Sequence, residues 1–181
     1  MAAKKKGAGG NLTRTQVVTV RLDPKLRYLA ELAALKQRRT LSSYIEWAVQ
    51  DSLSRVYLFE GTVHDGGNAS TVHDEADTLW DVYEPDRFIK LAFRYPELLT
   101  HEEQIKWKLI RENGYLWKGK TSPDSPEWTW QVDEKNIRLE RVRESWEVFC
   151  RVAAGKEDPS FLPKWTDLGH KPKDKQQVKE D

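Results

Sequence analysis

The stretch that decides the fold is VVTVRLDP, residues 17–24. Its residues alternate between two faces, one with Val18, Val20 and Leu22 and the other with Val17, Thr19 and Arg21. Strict alternation of this kind is typical of a strand with one buried face. Asp23 and Pro24 then favour a helix start, because Asp accepts bonds from first-turn amides and Pro lacks only a donor that is not needed there. We therefore predict a strand within residues 13–23 and a helix directly after it.

Two amphipathic helices are predicted to follow the strand. The apolar positions of the first are Leu26, Leu29, Leu32, Ala33 and Leu35. It ends at Gln37, Arg38 and Arg39, where the two cations suit the helix dipole. Thr40 is the predicted N-cap of the second helix, whose apolar positions are Leu41, Ile45, Ala48, Val49, Leu53 and Val56. The first section is therefore a strand followed by two helices.

This strand and its two helices enclose too little apolar volume for an independent domain. In a symmetric dimer, two copies of the strand pair antiparallel into a ribbon and hide Val18, Val20 and Leu22 against four helices. The other face of the ribbon stays in solvent. We therefore expect a homodimer, and assembly into higher oligomers stays open.

Charge is distributed unevenly along a chain whose formal net charge is only +1. Residues 1–59 hold eleven Lys and Arg against four Asp and Glu, a net +7, whereas the remaining residues hold 19 against 25, a net −6. Attraction to phosphate depends on local charge, so the basic first section suggests a polyanion partner. The acidic remainder is not expected to share that partner.

The first section resembles the ribbon-helix-helix DNA-binding family, the group that includes the Arc and methionine repressors. The resemblance is carried by VTVRLDPKL, residues 18–26, and RTLSSYIEWAV, residues 39–49, and covers about residues 15–57, under a third of the chain. It implies that paired strands enter the major groove of double-stranded DNA and that their outer face reads base edges. Val17 departs from the family, which usually has a polar residue at this position.

The resemblance makes Val17, Thr19 and Arg21 the predicted base-reading residues. Arg21 can donate two bonds to guanine, and Thr19 can bond a base edge or contact a thymine methyl. Val17 can make an apolar contact with a thymine methyl but cannot form a hydrogen bond through its side chain. The alternative is that Thr19 and Arg21 are only the solvent face of a strand.

The predicted phosphate-binding residues lie at the start of the second helix and among the basic residues before it. Family docking would place Thr40, Leu41, Ser42 and Ser43 at a backbone phosphate, because first-turn amides lack internal partners and the helix dipole favours an anion. Helix capping explains Thr40 equally well. Further phosphate candidates, each also explained as solvated charge, are Arg14, Arg38 and Arg39 and the arm residues Lys4, Lys5 and Lys6.

Composition divides the chain into five predicted segments. They are a flexible basic arm at 1–12, the DNA-binding domain at 13–59, a linker at 60–76, a helical Trp-rich domain at 77–170 and a disordered tail at 171–181. Within the fourth segment we predict helices at 85–95, from the Thr100 capping box to Asn113, and at 136–154, with 128–132 extended. The predicted fold class is mainly α.

Seven of the eight tryptophans fall after residue 59. They are Trp80, Trp107, Trp117, Trp128, Trp130, Trp146 and Trp165. Base stacking on aromatics would need basic surroundings, which this acidic section does not offer. Core and interface positions of a helical domain are the favoured interpretation. The alternative is a pocket or surface for a small-molecule or protein partner, where Trp is a favoured anchor.

The sequence offers little support for catalysis, metal binding or membrane insertion. Cys150 is the single cysteine, which excludes an intramolecular disulfide. It lies in an apolar helical pattern, which favours a core role. His64 and His73 lie nine residues apart in the predicted linker, with no spacing that would converge them on a metal. We expect no cofactor, no metal and no catalytic residues. With no apolar run long enough for a span, a cytoplasmic, membrane-free protein is expected.

The combined expectation is a dimeric, sequence-specific DNA-binding transcription regulator, most simply a repressor that occupies operator DNA. A plasmid partition protein, a conjugation accessory protein or an antitoxin is the alternative within DNA binding, since the ribbon-helix-helix family includes all three. The alternative from a different class makes residues 77–170 an enzyme or ligand sensor that the first section tethers to DNA.

Overall fold

The computed structural model describes residues 17–61, 68–122 and 125–166. By its internal contacts the chain divides into two units, one from Asn11 to Trp80 and one containing Asp81–Asp181. The described residues form a mainly α structure with six α-helices and two two-stranded antiparallel hairpins. None of these helices is long and apolar enough to cross a membrane.

Helices α1, Pro24–Lys36, and α2, Leu41–Leu53, confirm the two helices predicted for the first unit. The Asp23 carboxylate accepts bonds from the amides of Lys25 and Leu26, both at 3.0 Å, and Pro24 takes the first helical position as predicted. Helix α2 ends at Leu53, so Val56, predicted as the last apolar position of this helix, lies beyond its end. Local capping chemistry fixes both helix starts, which is why the sequence locates them.

Residues 17–22, which belong to the predicted strand, have no regular secondary structure in the single chain. A strand needs a neighbouring strand for its backbone hydrogen bonds, and no described segment of the same chain pairs with these residues. The ribbon-helix-helix arrangement is therefore not seen in one copy. Residues 13–16 of the predicted strand lie outside the described residues.

A short hairpin follows α2, in a region that the sequence suggested was partly linker. Strand β1, Tyr57–Phe59, pairs antiparallel with β2, Ser70–Thr71, and helix α3, Ala76–Leu79, comes next. The Asp74 carboxylate accepts bonds from the amide and hydroxyl of Thr71 at 2.9 and 2.7 Å. The amides of Val72 and His73 donate to the carbonyls of Val56 and Leu53 at 2.9 and 3.3 Å, so this segment is hydrogen-bonded to the end of α2.

The second unit contains the longer helices: α4, Glu84–Arg94; α5, His101–Glu112; and α6, Leu139–Ala153. Thr100 and Glu103 form the predicted capping box at the start of α5. Pro96 follows α4 by two residues, as predicted from the inability of Pro to continue a helix. Helix α6 begins at Leu139, three residues later than predicted.

A second hairpin joins α5 and α6 within this unit, so the Trp-rich section is not purely helical. Strand β3, Gly119–Ser122, pairs antiparallel with β4, Ser125–Trp130. The absence of a side chain at Gly119 is required here, because a Cβ would lie 2.5 Å from the Trp128 ring and 2.6 Å from the Thr129 carbonyl oxygen. The indole N–H of Trp128 donates to the Gly114 carbonyl at 3.0 Å.

The core of the second unit lies between α4, α5 and α6. Its fully buried side chains include Ile89, Ile110, Trp117 and Phe149. Trp117 satisfies its indole N–H by donating to the Ile110 carbonyl at 2.8 Å, as a buried Trp needs to.

The tryptophans of this section divide between interior and surface. Trp107, Trp117 and Trp146 are buried, Trp128 and Trp130 are half-buried, and Trp80 and Trp165 are exposed.

Candidate nucleic-acid interface

The segment before α1 presents both of its faces to solvent in the single chain. Val17 is 98% exposed, Val18 79% and Val20 57%, while Thr19 and Arg21 are exposed as well. The Arg21 guanidinium forms no hydrogen bond or ion pair with the described residues. Apolar side chains on one face and unpartnered polar side chains on the other are what a ribbon strand would present before it pairs.

The turn between α1 and α2 brings two arginines close to the start of α2. Arg38 adopts a positive φ of 56°, in the left-handed region. The amides of Arg38 and Arg39 donate back to the carbonyls of Leu35 and Ala34 at 3.0 and 2.9 Å. This is the hydrogen-bonding pattern of a Schellman end, in which the left-handed position is usually Gly.

Arg39 packs over an aromatic ring of the next helix. Its guanidinium carbon lies 5.4 Å from the centroid of the Trp47 ring, within the range of a cation–π contact. Arg38 and Arg39 are both exposed. Both charges therefore remain accessible to an anion beside the N-terminus of α2.

The N-terminus of α2 is partly capped by its own chain. The Thr40 hydroxyl oxygen accepts a bond from the Ser43 amide at 3.2 Å, which confirms Thr40 as N-cap. The amides of Leu41 and Ser42 precede the first intrahelical bond, which Tyr44 donates to Thr40. Two of the three predicted phosphate-facing amides thus stay available, whereas that of Ser43 is already used by the cap.

The structure brings together part of the predicted set. Arg38, Arg39, Thr40, Leu41 and Ser42 are consecutive around one turn and helix start. Arg14, Lys4, Lys5 and Lys6 lie outside the described residues.

No protein-family model, no curated protein and no solved structure matches this chain. The likeness of residues 15–57 to the ribbon-helix-helix family rests on the sequence pattern itself. The confirmed part of that pattern is the pair of capped helices.

The other candidates for chemistry do not converge. Among the described residues no group of three or more His, Cys, Asp or Glu could hold a metal ion, and His64 and His170 lie outside this part of the chain. Burial raises the pKa of the Cys150 thiol, and the neighbouring Lys106 ammonium opposes that shift. A raised pKa leaves the thiol protonated and weakly nucleophilic at neutral pH.

Two charged features of the second unit were missed by the sequence interpretation. Asp86 is 2% exposed and accepts two bonds from the Arg143 guanidinium, one of them at 2.9 Å from Nε. The carboxylate raises the pKa of Arg143 above its ordinary value.

Lys106 is the second feature, a lysine that is only 7% exposed. It precedes the buried Ile110 by four residues and therefore lies on the same face of α5. The helical spacing could have predicted its burial from the sequence.

Proposed function

We propose that this protein is a dimeric, sequence-specific DNA-binding transcription regulator that represses by occupying operator DNA. The observation that carries the proposal is segment 17–22, which has an apolar face and a polar face exposed at once in the single chain and directly precedes two capped helices. A second copy of the same segment would bury the apolar face and leave Thr19 and Arg21 outward.

The need for a second copy is supported by the burial of the first unit. Among its described residues only Ala34 and Thr71 are buried. The leucines of α1 remain 44–72% exposed: Leu26, Leu29, Leu32 and Leu35. Exposed apolar positions at helical spacing favour association, because covering them removes apolar surface from water at about 25 cal/mol per Å².

Base reading is assigned to the outer face of the paired strands. Arg21, free of partners among the described residues, can donate two bonds to guanine N7 and O6. Thr19 can bond a base edge, and Val17 can contact a thymine methyl. Both faces of such a ribbon would then have a partner, one protein and one DNA.

Phosphate binding is assigned to the start of α2. The Leu41 and Ser42 amides can donate to one phosphate, and Arg38 and Arg39 add positive charge beside it. These contacts would set the register of the protein on DNA without reading its sequence. The plasmid partition, conjugation and antitoxin roles would use the same DNA-binding step, so this step alone does not distinguish them from repression.

The test begins with selection of a preferred duplex by the full-length protein. Arg21→Ala is then compared with the wild type on the selected and a scrambled duplex at several salt concentrations. We expect Arg21→Ala to cost about 1–3 kcal/mol on the selected duplex and to relax its sequence choice. The triple variant Lys4→Ala, Lys5→Ala and Lys6→Ala serves as control, and should weaken both duplexes alike and flatten the salt dependence.

The ratio of the two affinities separates the roles, because only a base contact changes it. If Arg21→Ala left the ratio unchanged, the segment would not be the reading element. A selection that returned no preferred sequence would contradict sequence-specific binding altogether.

A further inference from the structure

The second unit contains a small cavity of about 180 Å³ between α4, α5 and α6. Its apolar wall is formed by Phe88, Leu91 and Trp146. Drug-sized ligands occupy pockets of about 300–1,000 Å³, so this volume restricts an occupant to a small molecule. The lining residues all belong to the second unit, whereas Arg21, Arg38 and Arg39 belong to the first.

Lys106 lines this cavity and is more than nine-tenths buried. Its ammonium lies 4.6 Å from the centroid of the Trp146 ring and 5.3 Å from that of Phe88, and it also contacts the Cys150 thiol. No carboxylate of the described residues forms an ion pair with it. Two aromatic faces and a thiol therefore hold this ammonium in place, and its charge is not neutralised by a carboxylate of the described residues.

The other charges that line the cavity differ in how far they are already used. Glu103 accepts bonds from the Thr100 amide and hydroxyl, at 2.8 and 2.7 Å. The Arg87 guanidinium donates to the Asp81 carbonyl at 2.7 Å. Glu84, exposed in the first turn of α4, forms no ion pair or hydrogen bond with the described residues.

The cavity therefore presents one buried cation and one exposed carboxylate that do not pair with each other. A molecule that carries both charges can bridge them, with its carboxylate on Lys106 and its ammonium on Glu84. Its apolar part would then pack against Phe88, Leu91 and Trp146. We propose that this cavity binds a small zwitterion with an apolar side chain, of the α-amino acid class.

The test is calorimetric titration of the full-length protein with L-leucine, 4-methylpentanoate and 3-methylbutylamine. The last two molecules keep the apolar part of leucine and lack its ammonium or its carboxylate. L-valine, L-methionine and L-phenylalanine are tested in the same way, each beside one analogue that lacks the ammonium and one that lacks the carboxylate. We expect at least one of the four amino acids to bind about tenfold or more tightly than both of its analogues.

Two variants assign the charges. Lys106→Met keeps the length of the side chain and should abolish amino acid binding, whereas Lys108→Met, on the exposed face of the same helix, should leave it unchanged. Glu84→Gln should remove the preference for the amino acid over the carboxylate analogue, with Glu102→Gln as its exposed control. Because Glu84 is exposed, this variant stays informative even where Lys106→Met fails to fold.

Three outcomes would overturn the proposal. One is the absence of binding by all four amino acids, and another is equal affinity for the amino acid and its carboxylate analogue, which would indicate a plain anion site. The third is amino acid binding that a folded Lys106→Met variant retains, since the ligand would then lie elsewhere.

Discussion

The two units of the chain differ in how much apolar surface each buries by itself. The second unit surrounds Trp117, Phe149 and Ile110 completely, whereas the described residues of the first unit bury only Ala34 and Thr71. A hydrophobic core is the main stabilising contribution to a small domain. The second unit forms such a core in one copy, whereas the described residues of the first unit do not. The first unit also carries the exposed residues Arg21, Arg38 and Arg39. In the proposed function, pairing with a second copy covers the apolar surface of this unit and creates the ribbon that reads DNA.

The largest expected effect comes from a charge on the unpaired apolar face. Val20→Asp should abolish the dimer, because the ribbon would bury an aspartate without a partner. Analytical ultracentrifugation of the full-length variant measures this loss. The second unit should keep its helical circular dichroism signal.

Val17→Asp is the matched control for that experiment. Val17 is 98% exposed and belongs to the opposite face of the predicted strand, so its variant should remain dimeric. A Val20→Asp dimer, or a monomeric Val17→Asp, would contradict the strand register on which the proposed function rests.

The next largest effect concerns the hydrophobic core of the second unit. Phe149→Ala should destabilise the second unit by about 3–5 kcal/mol, because it leaves a cavity at a fully buried position. Urea unfolding followed by Trp fluorescence measures the change, and the midpoint should not depend on protein concentration. Phe161, 65% exposed in the same unit, is the control, and Phe161→Ala should change stability by no more than about 0.5 kcal/mol. Equal effects of the two substitutions would mean that Phe149 is not a core residue.

Sequence patterns located the elements that depend on local chemistry. The starts of α1, α2 and α5 were predictable because Asp23, Thr40 and Thr100 cap them within three residues. Features that depend on distant partners were not predictable in the same way. Asp86 and Arg143 are 57 residues apart, and the sequence around neither residue indicates that they form an ion pair.

The same distinction between local and long-range contacts applies to the candidate site. The capped helices and the basic turn were predictable from residues 23–43, and the structure adds that the Ser43 amide is already bonded. The β1–β2 hairpin was missed because ten residues lie between Phe59 and Ser70 and its strands are only three and two residues long. The ribbon cannot be observed in one chain, because its hydrogen-bonding partner would be a second copy.

A smaller effect concerns the turn that presents the two arginines. Arg38 holds a positive φ that is unfavourable for a residue with a side chain, so Arg38→Gly should stabilise the first unit by about 0.5–1 kcal/mol. Arg38→Ala is the control, because it removes the same charge and keeps the unfavourable backbone. Thermal unfolding distinguishes the two variants, while both should bind DNA less tightly than the wild type. If Arg38→Gly were no more stable than Arg38→Ala, the turn would not be strained.

The smallest expected effect lies in the turn that follows β2, where Thr71 and Asp74 form hydrogen bonds. The hydroxyl and amide of Thr71 donate to the Asp74 carboxylate and lower its pKa below the ordinary value of 3.8. Because the folded-state pKa is the lower one, this stabilisation is fully present above the unfolded pKa and is lost as the pH falls through the folded pKa. Carbon-detected NMR titration of the full-length protein should therefore place the Asp74 midpoint below 3.8. Thr71→Val keeps the amide and removes the hydroxyl, so the midpoint should move back toward the ordinary value, and hairpin signals should become less sensitive to acid. An Asp74 midpoint at or above the ordinary value in the wild type would show that these hydrogen bonds do not form in solution.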